Sequence, residues 1–155
     1  MRAVVFINYS IAPFNVGHVG WGFEAQPGHF CYGAKEALGM QEVALPGYPN
    51  GVFVAQGSEP EMLAAMKTGN HPANGFFYND YRYVEVASFN VDAATELARQ
   101  CPHWGYTVVG NNCMDDVYRI LKAYANGDGN ILPRPRAHRR PVDFFRAIPS
   151  PVQHL

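Results

Sequence analysis

Net charge is almost missing from this sequence. Its 155 residues carry 12 Lys and Arg against 13 Asp and Glu, for a formal charge of −1. No global field therefore recruits nucleic acid or an anionic membrane. Cysteine is scarce too: Cys31, Cys101 and Cys113 are too few and too scattered for a disulfide framework. There is no CxxC pair, so a structural zinc site is not expected, and the odd count leaves at least one free thiol. This usage predicts a reducing, cytoplasmic setting. No apolar run approaches the roughly 18 residues of a membrane span. The opening MRAVVFINYS reaches the polar Asn8-Tyr9 too soon for a signal peptide, although export by a non-classical route stays open. Internal repeats are absent as well.

What is present suits one globular domain. The chain is 48% apolar and 16% charged, and at this length it buries roughly 70% of its unfolded surface. Aromatics make up 14% and favour strands. Residues 3–9 (AVVFINY) read as a buried strand, and 18–25 with 29–36 as a hairpin around Gln26-Pro27-Gly28. Residues 51–56 give another strand. Residues 59–68 follow as a helix, with acid in its first turn and Lys67 near its end. After a turn-rich GNHPANG come a strand over 81–88 and a helix capped by Asn90. Residues 105–110 lead into a third helix over about 113–125. The order lacks regular βαβ alternation, so the fold class is α+β with a mostly antiparallel sheet packed with the third helix. A domain over 1–130 and a Pro/Arg-rich tail over 131–155 are expected, with one docking turn at Val142 to Ile148.

The chemistry centres on that third helix. In Gly110-Asn111-Asn112-Cys113-Met114-Asp115-Asp116, Asn112 is a good N-cap and Cys113 takes the first helical position. The positive end of the helix favours a thiolate there. A free thiol is only about 3% ionised at pH 7, and the helix end shifts its pKa by about one unit. Asp115 and Asp116 push the other way, so a neighbouring imidazole is required. Cys113 also shares a helical face with Val117, Ile120, Leu121 and Tyr124, where a small core residue fits equally well. Cys31 and Cys101 read as packing residues.

His18 opens GHVGWGFE. Val19, Trp21 and Phe23 point to one face, and His18, Gly20, Gly22 and Glu24 to the other. Two glycines beside the histidine leave space for another element or a substrate backbone. His71, His103, His138 and His154 lie in loops or the tail.

A histidine opening GHVGWGFE, followed by a Tyr-led strand and an Asn-Cys helix start in GYTVVGNNCMDDVYRIL, resembles the circularly permuted branch of the NlpC-type papain-like superfamily. Relatives of lecithin:retinol acyltransferase belong to that branch. The order, His18 before Cys113, matches it, and the likeness spans residues 3 to 125. The resemblance implies a permuted papain-like fold without a cofactor. It also implies a thiol hydrolase, an amidase or peptidase, in which Cys113 attacks a carbonyl and His18 takes and returns the proton. The backbone N–H of Cys113 would stabilise the oxyanion, helped by Asn111, Asn112 or Tyr106. A polar residue on the next strand should orient His18. Pairing Trp21 with Tyr32 and Phe23 with Phe30 sets Lys35 opposite His18, and a one-residue bulge sets Glu36 there. His29 is the other candidate, roughly six residues or 20 Å along the sheet.

Three readings follow. The first is the thiol hydrolase acting on a peptide-like or acyl substrate, or an acyltransferase of the same fold. The second is a binding domain with an inactive site. The third is nucleic-acid binding through Arg134, Arg136, Arg139 and Arg140, a local proline-interleaved run that reads instead as a solvated tail.

Overall fold

The computed structural model describes residues 1–10, 16–35, 43–44, 52–68, 77–107 and 110–155. It is a mixed α+β structure built on a six-stranded antiparallel sheet. Strands β1 (Arg2–Asn8), β2 (His18–Gln26), β3 (His29–Lys35), β5 (Val52–Ser58), β6 (Asp80–Glu85) and β8 (Gln153–His154) run in the order β5-β3-β2-β1-β6-β8. A separate two-residue pair joins β4 (Val43–Ala44) to β7 (Tyr106–Thr107). The helices are α1 (Glu59–Thr68), α2 (Val91–Gln100), α3 (Cys113–Tyr124) and α4 (Pro141–Arg146). Among the described residues no helix is long and apolar enough to cross a membrane.

Both faces of the sheet are buried, which explains the unbroken apolar run of β1. Val4 and Phe6 join the core under α1, with Met62, Met66 and Tyr78. Ala3, Val5 and Ile7 join the larger core with α2, α3 and α4. On β2 the same alternation sends Val19, Trp21 and Phe23 to α3. Gly20 and Gly22 face α1. A Cβ on Gly20 would sit 2.7 Å from the Met66 methyl, and one on Gly22 would sit 2.6 Å from Val4 Cγ1. The space beside these glycines is thus filled by α1 and the neighbouring strand.

The hairpin register corrects the expected one. Trp21 pairs with Gly33 and Phe23 with Cys31, one residue from the pairing that matched apolar residues, and the ladder shifts between Glu24 and Gln26. The cause is volume. The indole of Trp21 lies over Gly33, where a Cβ would approach its Cζ2 to 2.8 Å. Tyr32 points to the opposite face, into the core under α1.

Residues 131–155, expected as a surface tail, supply Leu132, Val142, Phe144, Phe145 and Ile148 to the larger core. Pro141 starts α4 where its missing N–H costs nothing. Val142 N donates to Val16 O at 3.3 Å, and Arg82 Nη1 donates to the carbonyl oxygens of Ile148, at 2.7 Å, and Ser150. The boundary expected at residue 130 therefore does not separate two packing units.

A side chain at position 33 has no room. Gly33→Ala would place Cβ 2.3 Å from the backbone oxygen of Phe53. A loss of about 1–3 kcal/mol is expected, read as a lower urea midpoint with an unchanged slope. An unaltered midpoint would show that β3 and β5 can separate at no cost.

Candidate active site

Cys113 owes its position to the helix start. Asn112 is extended (φ −115, ψ −172), and its side chain accepts the N–H of Met114 at 2.9 Å. Asp115 Oδ2 accepts the N–H of Asn112 at 3.1 Å, which completes a capping box. The thiol at the first helical position is buried in the core between α3 and the sheet. Burial pushes its pKa up to about 12 and Asp116 adds to the rise. The backbone N–H groups of Val19, Met114 and Cys113 itself oppose it. The Val19 N–H is the informative contact, because it belongs to the residue that follows His18.

His18 begins β2 opposite Asn8. It shares its parity along the strand with Gly20 and Gly22, and its ring lies 6.2 Å from that of Tyr78. The imidazole therefore sits on the α1 side of the strand, and burial lowers its pKa to about 4. Thiol and imidazole approach the same stretch of β2 from different sides: the thiol through the Val19 N–H, the ring past Tyr78. At neutral pH both groups are uncharged.

The helper residues divide. Asn111 is occupied: its Nδ2 donates to Trp104 O at 2.7 Å, and its Oδ1 accepts from Lys35 Nζ at 3.4 Å and from Arg119 at 3.3 Å. Asn112 serves as the cap. Both shape the turn before Cys113. Tyr106 is half-buried, and its phenol pKa is raised by burial, then by the charges of Cys113 and Asp116. Glu36 follows the last residue of β3 and lies outside the described residues. His29 is exposed and pairs with Gln26, the last residue of β2. It stands eight residues from His18, about 26 Å away at 3.3 Å per residue, which removes it as an orienting partner.

A buried charge cluster was not anticipated. Lys35 Nζ lies 2.9 Å from Asp116 Oδ2, with side-chain exposures of 0% and 1%. The thiol of Cys101 donates to the same oxygen at 3.2 Å. Burial raises the pKa of Asp116, while Lys35 and Cys101 lower it. Burial, followed by Asp116, pushes Cys101 far up. Sequence pattern alone left Lys35 as a non-acceptor and Cys101 as packing. The available signal was Asp116 itself, a carboxylate on the apolar face with Val117 and Ile120.

Among the described residues no group of three His, Cys, Asp or Glu side chains could hold a metal ion. The open groove lined by Leu97, Trp104, Tyr118 and Arg119 includes neither Cys113 nor His18. No protein-family model matches the chain, and no curated protein and no solved structure matches it.

The buried imidazole has a consequence for stability. Its pKa is about 4 when folded, against 6.5 for an unperturbed histidine. Between those values the unfolded chain takes up a proton that the folded chain refuses. Stability is thus fully present above pH 6.5 and falls toward pH 4 at about 1.4 kcal/mol per pH unit. His18→Gln should remove this component. Urea midpoints at pH 7 and pH 4.5 measure it, and an equal acid loss in both proteins would assign the loss to other groups.

Proposed function

We propose that this chain is a thiol-dependent acyl-transfer protein, with Cys113 as nucleophile and His18 as base. More particularly, we read it as a hydrolase of amide bonds in peptide-like substrates, of the permuted papain-like kind. One observation carries the reading. The sulfur at the capped start of α3 lies within the influence of the backbone N–H of Val19, the residue that follows a buried histidine.

Both groups are neutral at rest, so the reading is general-base catalysis without a preformed ion pair. Sγ forms a bond to the carbonyl carbon as its proton passes to the imidazole of His18. The same proton then leaves with the amine, and water hydrolyses the thioester by the reverse proton path. Transfer to an amine or alcohol in place of water would make the protein an acyltransferase through the same intermediate. His18 is the first residue of β2 and follows Gly17 at φ 81, so the strand does not continue past it. On this reading the His18 ring must leave Tyr78 and turn toward the sulfur before the proton can pass. The Cys113 N–H and the Tyr106 phenol supply the oxyanion donors. The burial of both reacting groups favours a second reading, a binding domain that forms no acyl-enzyme.

Acylation by p-nitrophenyl acetate, located by peptide mass spectrometry, separates the readings. The acyl group should appear on Cys113 and not on Cys31 or Cys101. Cys113→Ala should abolish it, and His18→Gln should slow it by about 100-fold. The rate should fall in acid near pH 4, where His18 takes up its proton and can no longer accept one. Unchanged acylation in His18→Gln would sink the enzyme reading.

A further inference from the structure

A charged pair hidden from water seldom adds stability over apolar residues of equal volume, so Lys35 and Asp116 call for another role. The pair joins two elements that meet at the nucleophile. Lys35 ends β3 and reaches Asp116 in the first turns of α3 and Asn111 just before the cap. Asp116 lies three residues after Cys113, on the same side of the helix, where side chains stand about 5–6 Å apart. Cys101, at the end of α2, donates to the same carboxylate and ties in a third element.

We propose that the Lys35–Asp116 pair is a positioning and tuning element for Cys113: it pins the start of α3 to β3 and fixes a carboxylate one turn behind the thiol. The proposal rests on Cys113 being the nucleophile. Asp116 disfavours ionisation of the sulfur until a substrate engages it, and Lys35 opposes the burial that pushes the Asp116 pKa up. The other groups around Cys113 are accounted for. On α3, Asp115 is spent on the cap and Arg119 donates to Asn111. From β7, the Tyr106 ring lies 5.9 Å from Lys35 Nζ. The Cys101 thiol contacts Asp116, and His18 sits across β2.

The test is site-resolved alkylation of the three buried thiols by iodoacetamide between pH 7 and 9, in the full chain. In Lys35→Met/Asp116→Asn, Cys113 should react about tenfold faster than in the parent, because a pKa lower by one unit gives ten times the thiolate. Asp116→Asn alone leaves an unopposed ammonium and should react faster still. That variant carries a buried unpaired charge, so the neutral double variant decides the matter if the single one does not fold. Cys31, four residues before Lys35 on β3, is the internal control. Faster alkylation of Cys113 with Cys31 unchanged supports tuning. An unchanged Cys113 rate, or Cys31 accelerating in step, overturns it, since loosening exposes every thiol. Accelerated Cys113 alkylation in a protein whose acylation ignores His18→Gln would uphold the charge effect and reject the nucleophile.

Discussion

Strand β2 lies in the middle of the sheet with a helical layer against each face, and this double burial governs the rest of the molecule. A strand covered on both sides cannot slip by one residue without exchanging its two faces. The volumes along β2 fix the choice. Trp21 and Phe23 stack at 5.9 Å on the side of α3, where Phe23 meets Tyr124 at 5.1 Å. Gly20 and Gly22 admit the methionines of α1 on the other. The Tyr124 hydroxyl donates to Glu24 O at 2.8 Å and anchors the far end of α3 to the same strand. Cys113, at the near end, is held by the register of a strand that it does not belong to.

Polar groups inside such a structure exist on the terms that burial sets. His18 keeps no proton at neutral pH because the charged form is the one that loses its water. Cys113 keeps its proton for the same reason. Desolvation thus moves the two in opposite directions on the pH scale and toward the same neutral pair. Lys35 and Asp116 are buried as an ion pair, each facing the other at 2.9 Å in place of water. The molecule therefore carries one buried ion pair on β3 and α3 and, nearby, two buried groups that burial holds neutral.

Much of this was legible beforehand, and the reasons are local. Helix α1 begins and ends at the expected residues because Glu59, Glu61 and Lys67 mark its poles. Asn90 and Asn112 cap the next two helices because a short amide side chain satisfies exposed N–H groups wherever a helix begins. The period-two pattern of GHVGWGFE assigned faces correctly. The register failed because matching apolar residues ignores volume, and Trp21 needed a glycine opposite it. The Lys35–Asp116 pair was out of reach because its members are 81 positions apart in sequence, on a strand and a helix whose docking no local pattern encodes. His29 failed for a geometric reason: a residue beside a tight turn lies at the wrong end of a long strand.

The peptide between His18 and Val19 is the physical link between the two sides of the sheet. Its carbonyl side carries the imidazole toward Tyr78, and its N–H reaches the sulfur. A strand in mid-sheet would spend that N–H on a neighbouring strand. Among the described residues, the β2–β3 ladder runs from Gln26 back to Gly20, and Val19 lies beyond that stretch. Sulfur is a poor acceptor when protonated and a good one when ionised. The Val19 contact therefore strengthens as negative charge gathers on sulfur, while the Asp116 carboxylate behind it weakens that charge. One backbone N–H from β2 and one carboxylate from the first turn of α3 thus act in opposite directions on the ionisation of Cys113.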